Sequence, residues 1–120
     1  MKLKEIIFLL CFYLLMPQLH AQWQLVMRKG GNIYSIVKQN NQIYAGTLLG
    51  IFKSGDGGKT WIEKNNGLTN KLVHPILING TRLLTGTEAG VFISDDEGNN
   101  WKESNQGMII SKIKSLYLID

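Results

Sequence analysis

The chain has 120 residues, with 13 lysines and arginines against 9 aspartates and glutamates and a formal net charge of +4. That excess is mild and scattered, which argues against a nucleic-acid partner, while 44% apolar and 9% aromatic residues belong to a packed protein and not a disordered one. One cysteine and two histidines exclude an intramolecular disulfide and a cysteine-rich zinc site, so no metal or cofactor is expected.

Residues 1–21 read as a signal peptide. Lys2 and Lys4 make a positive start, Ile6 to Met16 is an unbroken apolar run, and Pro17-Gln18-Leu19-His20-Ala21 offers a breaker and a small residue for cleavage after Ala21. Eleven residues at about 1.5 Å each span only about half of a ~30 Å hydrocarbon core. Export without a stable membrane span is therefore expected: secreted, periplasmic or cell-surface. A lipoprotein reading of Cys11 fails because Leu10 stands where a small residue is wanted.

Residues 22–32, with Trp23 and Gly30, read as a lone N-terminal strand. The pattern follows the later Trp61…Gly67 and Trp101…Gly107 pairs, which close the two repeats described next.

Shifting the sequence by 40 residues lays Ile33–Leu72 on Val73–Lys112 with 12 identities in 40 positions, 11 of them between Gly46 and Gly67. Chance gives about two or three, and repeats of about 20 to 50 residues signal solenoids, propellers or arrays. In repeat 1 the predicted strands are Ile33–Gln39, Gln42–Thr47, Gly50–Ser54 and Thr60–Lys64. In repeat 2 they are Val73–Ile78, Arg82–Thr87, Gly90–Ser94 and Asn100–Ser104. Asn40-Asn41 and Asn79-Gly80 are the expected two-residue hairpin turns. Four antiparallel strands in about 40 residues is the size of one propeller blade. Two hairpin pairs in a small sandwich is the competing arrangement.

Both repeats carry one turn, Ser54-Gly-Asp56-Gly-Gly58-Lys-Thr-Trp61 and Ser94-Asp-Asp96-Glu-Gly98-Asn-Asn-Trp101. An aspartate here can accept backbone N–H groups one to three residues on, glycine tolerates positive φ, and tryptophan offers a broad apolar face to a neighbouring blade. This spacing resembles the Asp-box of bacterial-neuraminidase-type repeats, found in sialidases, sortilin-type receptors and photosystem assembly factors, and the resemblance covers residues 23–120. It implies an all-β, incomplete propeller: two four-stranded antiparallel blades, 33–72 and 73–112, with one extra strand at each end. It also implies that Ser54, Asp56, Gly58, Trp61, Ser94, Asp96, Gly98 and Trp101 are structural, on the outer rim, and not catalytic.

Other candidates have bland readings. Asp95-Asp96-Glu97 lacks the spacing of a calcium loop. Glu88 in a strand connection reads as surface, and His74, aligned with Tyr34, as a packing or rim residue. Asn79-Gly80-Thr81 matches a glycosylation sequon but sits in a tight turn. Lys38, Lys53, Lys59, Lys64 and Lys71 read equally as a basic patch for an acidic partner surface, as in an assembly factor, and as a solvated blade face. Sialidases of the family hold the substrate carboxylate with three arginines, and Arg28 and Arg82 are only two, so no catalytic residue is assigned.

Residues 113–120 align with the first strand of each repeat and read as the start of a truncated third blade. The expectation is an N-terminal piece of a longer propeller, non-enzymatic, serving as an interaction or assembly scaffold for a protein or glycan partner. The competing reading is an inactive fragment of a secreted sialidase-like glycoside hydrolase. The apolar, unpartnered segment Ile113–Ile119 adds an expectation of self-association.

Overall fold

The computed structural model describes residues 2–7, 31–109 and 112–119. The expected leader beyond its first turn, its cleavage point and most of the lone strand at 22–32 lie outside these residues. Residues 3–7 form a helical turn, and 31–32 belong to no strand.

The remaining regular structure is β throughout. Strands β1 (Ile33–Gln39), β2 (Gln42–Thr47), β3 (Gly50–Ser54) and β4 (Ile62–Glu63) form one antiparallel sheet in that order. Strands β5 (Val73–Asn79), β6 (Arg82–Thr87), β7 (Gly90–Ser94) and β8 (Lys102–Glu103) form a second. Neither sheet closes on itself. In β1 half-buried Ile33, Ser35, Val37 and Gln39 alternate with exposed Tyr34, Ile36 and Lys38, the period-two pattern of a strand.

The 40-residue repeat is reproduced in register. Ile33 pairs with Thr47 and Gln39 with Gln42, as Val73 pairs with Thr87 and Asn79 with Arg82, and both ladders slip just after their first pair. Two details differ from the sequence expectation. The second hairpin turn is Gly80-Thr81, because Asn79 stays in the ladder. The residue needing positive φ is the first of each turn, Asn40 at 55° and Gly80 at 62°.

The fourth strands are shorter than expected, at two residues each. The reason lies in where their N–H groups go. Those of Thr60 and Asn100 donate to Asp56 and Asp96, and that of Trp101 donates to the Asn66 carbonyl in the segment between β4 and β5 at 2.9 Å.

The core lies between the sheets. Tyr44 and Ile51 of the first meet Val73, Ile76, Leu83, Phe92 and Trp101 of the second, with Leu68 from the connecting segment. Each fully buried side chain of this kind is worth about 1.5–3 kcal/mol relative to exposure. Two glycines set how closely the sheets approach. A Cβ on Gly46 would lie 2.7 Å from Val73 Cγ1, and one on Gly67 would lie 2.1 Å from the Trp101 carbonyl oxygen.

The segment expected as a further first strand forms no ladder among the described residues. In both sheets the first strand is bonded only to the second strand of its own sheet, and no such partner for this segment occurs among the described residues. Its first apolar residue is nevertheless seated. The Ile113 N–H donates to the Thr87 carbonyl at 3.0 Å, and Ile113 occupies the space beside Gly86 that a Cβ would need, as Val73 does beside Gly46.

Candidate functional site

At one end of the sheets lie the two repeated turns. The Ser54 hydroxyl donates to Asp56 Oδ1 at 2.8 Å and accepts the Gly58 N–H at 2.8 Å. Asp56 in turn accepts the Thr60 N–H at 2.8 Å and the Thr60 hydroxyl at 2.6 Å. Repeat 2 repeats this with Ser94, Asp96, Gly98 and Asn100 at 2.7–2.9 Å. The main reach of each aspartate is thus four residues forward, further than the sequence suggested. Thr60 and Asn100, unassigned from sequence, complete the clip. Gly58 and Gly98 have φ of 95° and 85°, a region where a side chain is strained.

Both carboxylates are held to a pKa of about 2, chiefly by the side-chain hydrogen bonds from Thr60 and Asn100. Their charges are therefore committed to shaping the turn. Because the folded pKa lies below the unfolded value of about 4, these bonds contribute in full above about pH 4 and are lost as the pH falls towards 2. Thermal melts from pH 6 to pH 2 should show Tm declining below pH 4. The Asp56→Asn, Asp96→Asn double variant should show a flatter decline.

The two tryptophans have different surroundings. Trp101 is 5% exposed and its indole N–H donates to the Lys64 carbonyl, just past β4, at 2.8 Å. Trp61 is half-buried, and its indole N–H turns back to the Gly58 carbonyl at 3.1 Å.

The acidic run Asp95-Asp96-Glu97 diverges. Asp95 pairs with Arg82 at 2.7 Å and Lys102 at 3.2 Å, Asp96 holds its turn, and Glu97 reaches the first sheet. Glu97 Oε2 accepts Lys53 Nζ at 2.9 Å and Gln42 Nε2 at 3.3 Å, and its carbonyl accepts the Tyr44 hydroxyl at 3.0 Å. Lys53 is thus clamped between the sheets, a correction to its reading as part of a solvated face. Glu97 adopts φ of 59°, where repeat 1 has Gly57 at 74°. The strain, of order 1 kcal/mol or more, is borne by a residue with three bonds across the interface. The Lys53 ammonium holds the Glu97 carboxyl below its usual pKa, and burial pushes the Tyr44 phenol up. Desolvation alone would lower the Lys53 pKa, but its bonds to Glu97 and Tyr44 outweigh that and leave it raised.

Beside this latch a shallow cleft of about 260 Å³ is lined by Gln39, Asn40, Gln42, Gly80, Thr81 and Glu97. It falls below the roughly 300–1,000 Å³ of small-molecule sites, and its one carboxylate is already engaged.

At the opposite end, the Tyr34 and His74 rings lie 4.9 Å apart, and Glu88 in the β6–β7 turn bonds Lys112 at 2.8 Å. His74 Nε2 stands 3.8 Å from Glu88 Oε1, beyond hydrogen-bond reach, and is buried with no hydrogen-bond partner among the described residues. The Lys112 bond keeps the Glu88 carboxyl below its usual pKa. This places His74 in ring packing and Glu88 at the surface. No group of residues able to hold a metal occurs among the described residues.

Sequence reasoning also missed a repeated brace. Asn65 Oδ1 accepts the Ile51 N–H at 2.7 Å and Asn105 Oδ1 the Val91 N–H at 2.8 Å, while Thr47 and Thr87 hydroxyls donate to the Gly50 and Gly90 carbonyls. The signal was present, since Thr47 and Thr87, Gly50 and Gly90, and Asn65 and Asn105 are identical pairs at the 40-residue shift.

Compared with known proteins, the chain matches no protein-family model and no curated protein.

Proposed function

We propose that the chain is an exported, non-enzymatic β-propeller repeat segment within a longer propeller, acting as an interaction or assembly scaffold for a protein or glycan partner. The observation that carries this reading is the recurrence of one packing step. Val73 seats on Gly46 where the second sheet meets the first, and Ile113 seats on Gly86 where a third would meet the second. Repeats that bury their faces only against neighbours build such arrays. The residues of the repeated turn support the same reading, because Ser54, Asp56, Thr60 and their counterparts are bonded to one another and to backbone.

Two measurements test it. N-terminal sequencing of the protein recovered from outside the cytoplasm should begin at Gln22; an uncleaved chain retained inside refutes export. Incubation with a fluorogenic sialoside should release no fluorophore above a buffer blank. Turnover that scales with protein concentration refutes the non-enzymatic assignment.

A further inference from the structure

Of the ten asparagines, two precede a glycine, Asn66 and Asn79. A glycine in that place leaves its own nitrogen open to the asparagine side chain, because no Cβ stands beside it. Asn79 stays in the ladder opposite Arg82, at an exposed hairpin tip. Asn66-Gly67 lies instead at the joint between the sheets, and both residues are exposed to water. The Asn66 amide donates to Asn100 Oδ1, the Asn66 carbonyl accepts the Trp101 N–H at 2.9 Å, and Gly67 faces the Trp101 carbonyl. Repeat 2 has Gln106-Gly107 at this place, whose longer side chain would have to close a larger, less favoured ring.

We propose that Asn66 is a self-modification site: when the joint between the sheets opens, the Gly67 nitrogen closes on the Asn66 side chain, and the amide is converted irreversibly to aspartate and isoaspartate. The Gly67 nitrogen gives its proton to solvent and bonds to Asn66 Cγ, while the Cγ–Nδ2 bond breaks and Nδ2 leaves as ammonia, taking one proton back. Water then adds to the cyclic imide. Opening at Cγ gives aspartate, opening at the main-chain carbonyl gives isoaspartate, and no electrons are gained or lost. Ring closure takes Nδ2 away from Asn100 and fixes the Asn66 carbonyl in the ring plane, so it proceeds from a local opening of the joint.

The product cannot restore the joint. Asn100 uses its oxygen to accept from Asn66 and its amide N–H to hold Asp96 Oδ2. A carboxylate at position 66 carries no donor, so acceptor then faces acceptor, and turning the Asn100 amide over would withdraw the donor from Asp96. Isoaspartate also adds an atom to the main chain, beside a glycine already too close to Trp101 to accept a Cβ. Nothing in this chemistry depends on export, on enzymatic activity or on what precedes or follows the chain.

The full chain, incubated folded at mildly alkaline pH and mapped by peptide mass spectrometry, should gain aspartate and isoaspartate at position 66 while Gln106 stays an amide. Conversion at 66 should accelerate in urea, which opens the joint. The converted fraction carries an added negative charge, separates on ion exchange, and should melt at a lower temperature than the unconverted chain of the same sample. Asn66→Asp should show a lowered melt without incubation. An intact amide at 66 in folded chain already converted at 79, a rate as fast folded as in urea, or a converted fraction that melts with the parent would each overturn the proposal.

Discussion

Gly67→Ala should destabilise the protein by about 3 kcal/mol or more, enough to unfold a marginal domain. Two costs combine at this position. Its φ of 83° strains any residue bearing a Cβ, at about 1–3 kcal/mol. The added methyl would also lie 2.1 Å from the Trp101 carbonyl oxygen, with the Trp101 backbone nitrogen at 3.3 Å. Backbone cannot swing aside as a flexible side chain can, so the second sheet must move off the first. Gly107→Ala supplies the control. It occupies the same place in repeat 2 with φ of 79°, yet a Cβ there meets no atom of the described residues within 4 Å, so it should cost only the conformational part. Urea titrations of the two variants would separate the terms, and equal losses would show that Gly67 is conserved between the repeats for its backbone angle alone.

Trp101→Ala should cost about 3–5 kcal/mol, the range for removing a large buried aromatic. The ring fills the space between the sheets beside Tyr44 and Leu83, which converge with it around Gly98. Its loss leaves a cavity on the interface and an unpaired Lys64 carbonyl. Trp101→Phe should recover most of the packing and lose the hydrogen bond, about 1 kcal/mol. Thermal melts monitored by near-ultraviolet circular dichroism would follow both variants. An alanine variant as stable as the parent would mean that the sheets do not depend on this contact.

Much of this architecture is legible in one alignment of the chain on itself. The 40-residue shift places the first three strands of each repeat, because apolar alternation and the turn residues Asn40 and Gly80 agree with it. It also exposes the Ser-x-Asp turns, whose side chains find partners within four residues along the chain. Contacts between repeats are a different matter. Glu97 stands where repeat 1 has a glycine, so the repeat hides it, and its partners Gln42, Tyr44 and Lys53 lie 44 to 55 residues away in sequence. The shortening of β4 and β8 has the same origin, since it depends on which N–H groups the turn and the segment between β4 and β5 withdraw. Asn65 and Asn105 were visible as identities, but their role needed Gly50 and Gly90 at φ of 116° and 105° beside them.

The central claim is that one sheet-on-sheet step recurs along the chain. Nuclear Overhauser spectra of the methyl-labelled protein test it most directly. The account predicts cross-peaks between the Gly46 Hα and the Val73 γ1 methyl, and between the Gly86 Hα and the Ile113 γ2 methyl, alongside the cross-strand contacts within each sheet. Intact ladders with neither glycine–methyl contact would show two sheets that fold without stacking, and would contradict it.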